Sequence, residues 1–259
     1  MKFGGTSVGD IAAFERVIYV VASQKEKRRV VVTSAMTKVT DALLAAFDIA
    51  KKGDAAVAFR SLEPHFERHF AVTEHFLPPS GGNPFLTEYN YAKEELEDLL
   101  TRAQRRSLPL QMLRDAIVSY GEQLSSRLLT EVLRSKGISA RHVDSRRLIV
   151  TDDEYGAAQP IWEETEKLVQ LELELMTSSG EVPVMGGFIA ANRAGETTTL
   201  GRGGSDYSAA IIAAALRAAE LQIWTDVTGV MTCDPRICSD ARTIPILSYE
   251  EAADRKSVV

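Results

Sequence analysis

Val30-Val31-Val32-Thr33-Ser34 is the stretch on which the fold turns. Three consecutive β-branched apolar residues make a short strand with no polar alternation, the pattern of a strand buried on both faces. Such a strand belongs to a largely parallel sheet with helices on each side, and its flanks agree. Upstream, Asp10 is placed to cap an amphipathic helix running to about Lys27, with Phe14, Val17, Ile18 and Val21 on one face. Downstream, Thr40 or Asp41 opens a helix through Leu43, Leu44 and Phe47 to about Lys52, where Gly53 stops it.

Further out the alternation continues. Residues 76–85 are Pro/Gly-rich and read as a loop, and 89–106 as a charged helix with regular Leu spacing. A helix spans about Gly121 to Gly137, strand signals fill Ala140 to Val150, and a helix after Pro160 ends by Gly180. Val182 to Ala191 reads as a strand leading through Asn192–Gly195 into Thr197–Leu200, a hairpin. Ser205 to Ala219 is a helix and Leu221 to Trp224 a strand. The βαβ rhythm predicts an α/β fold, a three-layer α/β/α sandwich with a largely parallel central sheet. Residues 54–110 form a mostly helical insertion.

Composition narrows the function classes. The chain has 259 residues, 45% hydrophobic and 25% charged, enough for a sizeable core. A net charge of −6 argues against a nucleic-acid partner. No apolar run approaches the roughly 18 residues of a membrane span, and residues 1–5 lack the apolar stretch of a signal peptide. Cys233 and Cys238 have no CxxC or Cys/His company, so no metal site is expected, and a reduced, cytoplasmic protein is the expectation.

Three glycine-rich segments carry the chemistry. Lys2-Phe3-Gly4-Gly5-Thr6-Ser7 combines a cation, hydroxyls and glycines that let bare N–H groups approach an anion; the competing reading is a ligand-free strand-to-helix turn. Its lysine precedes the glycines, so it is not a Walker motif. Gly201-Arg202-Gly203-Gly204-Ser205-Asp206 opens into a helix, where N–H groups and the helix dipole favour negative charge. Arg202 suits a carboxylate in bidentate fashion. Asp206 reads equally as a carboxylate settled on the helix dipole or as the partner that orients Lys2. The third segment, Trp224-Thr225-Asp226 through Arg236, leaves a strand end, where open α/β sheets bind ligands; an ordinary surface loop is its alternative. The four histidines, His65, His69, His75 and His142, lie outside all three.

Taken together, KFGGTS (2–7), LGRGGSDYSAA (200–210) and WTDVTGVMTCDPR (224–236) resemble, in order, the signatures of the aspartate kinases of the amino-acid kinase family. Val32–Met36 and Tyr120–Leu124 share the resemblance, which spans nearly the whole chain, least distinctively at 54–110. It implies ATP-dependent phosphorylation of the side-chain carboxylate of L-aspartate, with magnesium carried mainly by the nucleotide and no protein metal ligand assigned. It implies that Lys2 contacts the transferring phosphoryl group, that Gly4, Gly5, Thr6 and Ser7 line the phosphates, and that Asp206 organises the lysine. Arg202 would hold a substrate carboxylate and Glu122 the amino group, with Ser34, Thr40, Phe188 and Gly203 beside the acceptor. Thr225, Asp226, Met231 and Arg236 would line the nucleotide. On this reading residues 1–259 form one catalytic domain, with an acceptor part to about 190, a nucleotide part after it, and a lid at 54–110 over the acceptor side. A homodimer follows the family's habit.

The chain also departs from the family. Met231 stands where tyrosine is usual and offers no hydroxyl. The family's FGAKVLHP-like segment does not follow Tyr249–Ala252, and Lys256 comes early for its lysine. Both ends look trimmed, and C-terminal regulatory domains are expected to be missing. A module that binds nucleotide or amino acid without turnover is therefore the alternative. A dinucleotide oxidoreductase is disfavoured, because no GxGxxG follows a strand.

Overall fold

The computed structural model describes residues 1–24, 28–78, 83–226, 229–234 and 237–255, with the side chains of the last three left aside. Arg236 and Lys256 lie outside the described residues. The chain divides into two compact units, Met1–Trp224 and Thr225–Val259.

In the first unit, β1 (Lys2–Phe3) leads through a 3₁₀ turn (Gly5–Val8) into α1 (Ile11–Ser23). The Asp10 side chain accepts from Ala13 N–H and caps α1. Then come β2 (Val31–Thr33), α2 (Val39–Ala50), α3 (Ala55–Arg60), α4 (Glu63–Phe76), α5 (Pro84–Arg105), α6 (Leu110–Val118) and α7 (Tyr120–Ser135). After them follow β3 (Ala140–His142), β4 (Val150–Thr151), α8 (Trp162–Ser178), β5 (Val182–Gly186), β6 (Ile189–Asn192), β7 (Thr197–Thr199), α9 (Gly204–Ala215) and β8 (Ile223–Trp224).

Five strands form a parallel sheet in the order β3-β5-β2-β1-β8. Successive side chains of a strand point to opposite faces, and β2 shows both cores. Val31 enters a cluster with Phe14, Val17, Leu43 and Leu128, whereas Val32 joins Val169, Leu173, Ile211 and Ile212 from α8 and α9. The sheet is thus the middle of three layers.

Three expectations change. The lid expected at 54–110 is part of the main core, because Leu62, Phe66, Phe85, Leu96 and Leu100 bury in the same cluster as Phe14 and Leu43. The strand expected at 140–150 is two short strands in different sheets. Asp144 caps a 3₁₀ turn at Ser145–Arg147 between them by accepting from Arg146 N–H. The strand expected at 182–191 breaks at Gly187-Phe188, where Phe188 takes φ 67. This turn moves the chain from the parallel sheet into a second, three-stranded sheet, β4-β6-β7, in which β6 and β7 make the expected hairpin. β6, β7 and α9 belong to the first compact unit, which runs to Trp224.

Gly187 allows the break to pack. A Cβ there would stand 2.7 Å from Ser205 Cα and 2.8 Å from Ser205 Cβ, too close for backbone to absorb. Gly187→Ala is expected to cost about 1–3 kcal/mol, the scale of overpacking, read as a lower urea midpoint. An unchanged midpoint would contradict this contact.

In the second unit, Met231 pairs antiparallel with Thr243 as an isolated bridge. Thr232 N–H donates to Arg242 C=O at 2.9 Å and Ile244 N–H to Val230 C=O at 2.8 Å. α10 (Tyr249–Arg255) follows.

Candidate active site

Lys2 opens the two-residue strand β1 between β2 and β8, and the glycine turn after Phe3 leaves the carboxyl ends of the parallel strands, the side where ligands bind. Phe3 points into the first core cluster, so Lys2 faces the other way. Its Nζ lies 2.7 Å from Asp206 Oδ1; the lysine side chain is 10% exposed and the aspartate 51%. Asp206 is in the first turn of α9, where the dipole stabilises it. The sequence left two readings of Asp206; the geometry contains both at once.

The glycine turn that carries Arg202 has Gly201 at φ 76 and Gly203 at φ 74, values that side chains resist. Arg202 is exposed and has no ion-pair or hydrogen-bond partner among the described residues. Gly204 N–H donates to Gly201 C=O, and Asp206 and Tyr207 N–H donate to Gly203 C=O. The bare donors among the described residues are therefore Arg202, Gly203 and Ser205, fewer than the motif suggests.

The first turn changes similarly. Gly4 N–H donates to Trp224 C=O at 3.2 Å and Ser7 N–H to Gly4 C=O at 2.9 Å. Ser7 Oγ donates to Trp224 C=O at 3.4 Å. Gly4 and Ser7 thus offer no bare N–H, because the turn needs them to join β8 and close the 3₁₀ turn. Gly5 and Thr6 N–H have no acceptor among the described residues.

Glu122 projects from the first turn of α7 and is buried. Oε1 accepts from Ala35 N–H at 3.1 Å, while Oε2 is buried with no partner. Burial pushes its carboxyl up to about 8, against the donation from Ala35. Between an unfolded value near 4.5 and about 8, the folded chain holds a proton that the unfolded chain releases. Stability therefore falls as pH rises through that window. The urea midpoint should drop between about pH 5 and 8, and the drop should shrink in Glu122→Gln; equal slopes would contradict the assignment.

These groups meet in one cleft of about 400 Å³ within the first unit. Of the residues expected at the site, Lys2, Gly5, Ser34, Thr40, Glu122, Phe188, Arg202, Gly203 and Asp206 all line it. Gly4, Thr6 and Ser7 do not line this cleft. Thr225, Asp226 and Met231 belong to the second unit, where Thr225 Oγ1 donates to Asp226 Oδ1 at 3.0 Å. Arg236 lies outside the described residues.

Two further groups shape the cleft. Lys38, at φ 66, lines it as an additional cation. Arg68 of α4 donates from Nη2 to Thr37 C=O at 2.7 Å, and Thr37 Oγ1 donates to Gly5 C=O at 2.9 Å. The helical segment thereby braces the Ser34–Lys38 loop against the first glycine turn. Arg68 carried no signal beyond its place in the mostly helical segment 54–110.

Asp41, Glu122 and Asp206 are the carboxylates that line the cleft. Glu122 Oε1 is engaged by Ala35 and Asp206 Oδ1 by Lys2. Among the described residues, no group of three or more His, Cys, Asp or Glu is placed to hold a metal ion. No helix of the described residues is long and apolar enough to cross a membrane.

A family model described as the amino acid kinase family matches residues 1–259. The chain is 37% identical over 258 residues to lysine-sensitive aspartokinase 3 of Escherichia coli (strain K12), covering 98% of this chain and 54% of that protein. To aspartokinase 1, chloroplastic, of Arabidopsis thaliana it is 36% identical over 261 residues, 98% of this chain and 44% of that one. Its fold superposes with a TM-score of 0.88 on a crystal structure of E. coli aspartokinase III in complex with aspartate and ADP, at 36% identity, covering 99% of this chain and 55% of that chain. The chain spans about half the length of these relatives. With its three-layer fold, its glycine turns and a family match along its full length, the chain belongs to the amino acid kinase family.

Proposed function

We propose that this chain transfers the γ-phosphoryl group of ATP to the side-chain carboxylate of L-aspartate, giving 4-phospho-L-aspartate, the first step toward lysine, threonine and methionine. One observation carries the reading. A buried Glu122 Oε2 and an Arg202 guanidinium, neither with a partner among the described residues, face the same cleft as the Lys2–Asp206 pair. A buried carboxylate oxygen calls for a cationic donor, and a free guanidinium for a carboxylate. An amino acid with a second carboxylate meets both needs and leaves one carboxylate to react. The relative crystallised with aspartate and ADP supports the choice.

The chemistry suits the residues. The acceptor carboxylate oxygen forms the new bond to the γ-phosphorus as the bond to the β-phosphate oxygen breaks, and ADP leaves with that electron pair. The carboxylate is already a nucleophile, so no general base is needed, and positioning and charge neutralisation supply the rate. Lys2 Nζ neutralises the transferring group, held in place by Asp206. The N–H groups of Gly5 and Thr6 remain for phosphate oxygens. Magnesium arrives as part of the nucleotide substrate. Thr225, Asp226, Met231 and Arg236 are assigned to the nucleotide on the family resemblance, which also suggests a homodimer, and the cytoplasmic setting rests on the cysteine usage.

The test is ADP release with a panel of amino acids. Aspartate should support turnover and glutamate should not. Release with glutamate and none with aspartate would overturn the substrate. Glu122 adds a signature. It binds an ammonium only as the carboxylate, so the apparent affinity for aspartate should rise with pH toward about 8, and this rise should vanish in Glu122→Gln.

A further inference from the structure

Asp115 of α6 is fully buried and lies outside the residues that line the cleft. A single oxygen, Oδ2, accepts two backbone donors, Gly156 N–H at 2.7 Å and Thr199 N–H at 2.8 Å. The other oxygen, Oδ1, makes no hydrogen bond and sits 3.5 Å from Arg114 Nη1. Burial raises its carboxyl against those two donors, so the group is kept there at a cost.

What it holds is the approach to Arg202. Thr199 ends β7, and the glycine turn begins at Gly201. The Thr199 carbonyl is tied as well, by Ala158 N–H at 2.9 Å, and Leu200 N–H donates to Phe188 C=O at 2.9 Å. A Cβ on Gly201 would stand 3.2 Å from Gly156 C=O. The Gly156–Ala158 segment and the Arg202 turn therefore lie against each other, and one carboxylate oxygen fixes both to α6.

We infer that Asp115 is a positioning residue that sets the Leu200–Gly204 turn and so aims Arg202 at the substrate carboxylate. The inference rests on the proposed function for the identity of that substrate. Small displacements of a clamp are costly to catalysis, so the expected loss falls on aspartate use. Asparagine keeps an oxygen where Oδ2 stands and can still accept both amides. Alanine accepts neither.

The experiment compares Asp115→Ala and Asp115→Asn with the wild type by steady-state kinetics and amide hydrogen exchange. For Asp115→Ala, kcat/KM for aspartate should fall about tenfold or more while KM for ATP stays within about twofold. Exchange in residues 197–204 should quicken about tenfold, with α8 unchanged. Asp115→Asn should stay within about threefold of the wild type on every count. Equal losses for ATP and aspartate, or exchange quickened across the whole chain, would reduce Asp115 to a general core group and overturn the inference. If Asp115→Ala does not fold, Asp115→Asn decides: retained protection at 197–204 with a near-normal KM for aspartate supports the inference, and loss of either overturns it. A wild type that releases no ADP with aspartate would sink the substrate reading, while the exchange comparison would still judge Asp115.

Discussion

Lys2→Ala should lower kcat by about 10²-fold or more while the protein stays folded. Lys2 supplies a full positive charge at a fixed point, because β1 is hydrogen-bonded on both sides and Asp206 holds Nζ at 2.7 Å. Removing one preorganised contact that stabilises transition-state charge costs about 10²–10³ in kcat, or about 3–4 kcal/mol of barrier. KM values should move much less, because this contact strengthens as the phosphoryl group transfers. Fold stability should change little. Asp206 is half exposed, and an ion pair screened by water contributes about 1 kcal/mol or less. Asp206→Asn should fall between, keeping a hydrogen-bond acceptor for Nζ but losing the charge. A Lys2→Ala protein with near-normal kcat would remove Lys2 from the reaction. Steady-state kinetics beside a urea titration separates these outcomes.

Arg202→Ala carries the second large effect, on aspartate. The side chain is exposed, without an ion-pair or hydrogen-bond partner among the described residues, in a turn whose shape is set by Gly201 and Gly203, so truncation leaves the fold alone. The substrate carboxylate loses a bidentate partner inside a cleft that already contains Glu122 and Asp206. A chain of net charge −6 depends on such local cations to admit an anion. The expected loss in kcat/KM for aspartate is about 10²-fold, with KM for ATP nearly unchanged. Arg202→Lys should recover little of it, because an ammonium cannot reproduce the planar fork. Full recovery with lysine would reassign Arg202 to a diffuse electrostatic role.

Much of this arrangement was legible because its signals are local. The β-branched run at 30–32 marks a doubly buried strand, Asp10 a helix cap, and glycines beside Lys2 and Arg202 mark the cleft turns. What escaped is set by contacts distant in sequence. Phe188 adopts φ 67 in a stretch that reads as continuous strand, held by Ser208 Oγ accepting its N–H twenty residues away. Arg68 reaches Thr37 across 31 residues and Asp115 reaches Thr199 across 84, so no spacing rule reveals either. Residues 54–110 read as a mostly helical insertion, yet Leu62, Phe66, Phe85, Leu96 and Leu100 complete the main core. The bare N–H expected at Gly4 and the hydroxyl expected of Ser7 are both taken by the Trp224 carbonyl, a tertiary contact that a motif does not record.

Hydroxylamine trapping tests the central claim most directly, because it reports the product's chemistry. Incubated with ATP, magnesium, L-aspartate and hydroxylamine, the wild-type chain should accumulate an aspartyl hydroxamate in step with ADP, since hydroxylamine displaces phosphate from an acyl phosphate. Glu122→Gln, Lys2→Ala and Arg202→Ala should each suppress it. ADP formed without hydroxamate, or hydroxamate formed with glutamate and not with aspartate, would contradict the account.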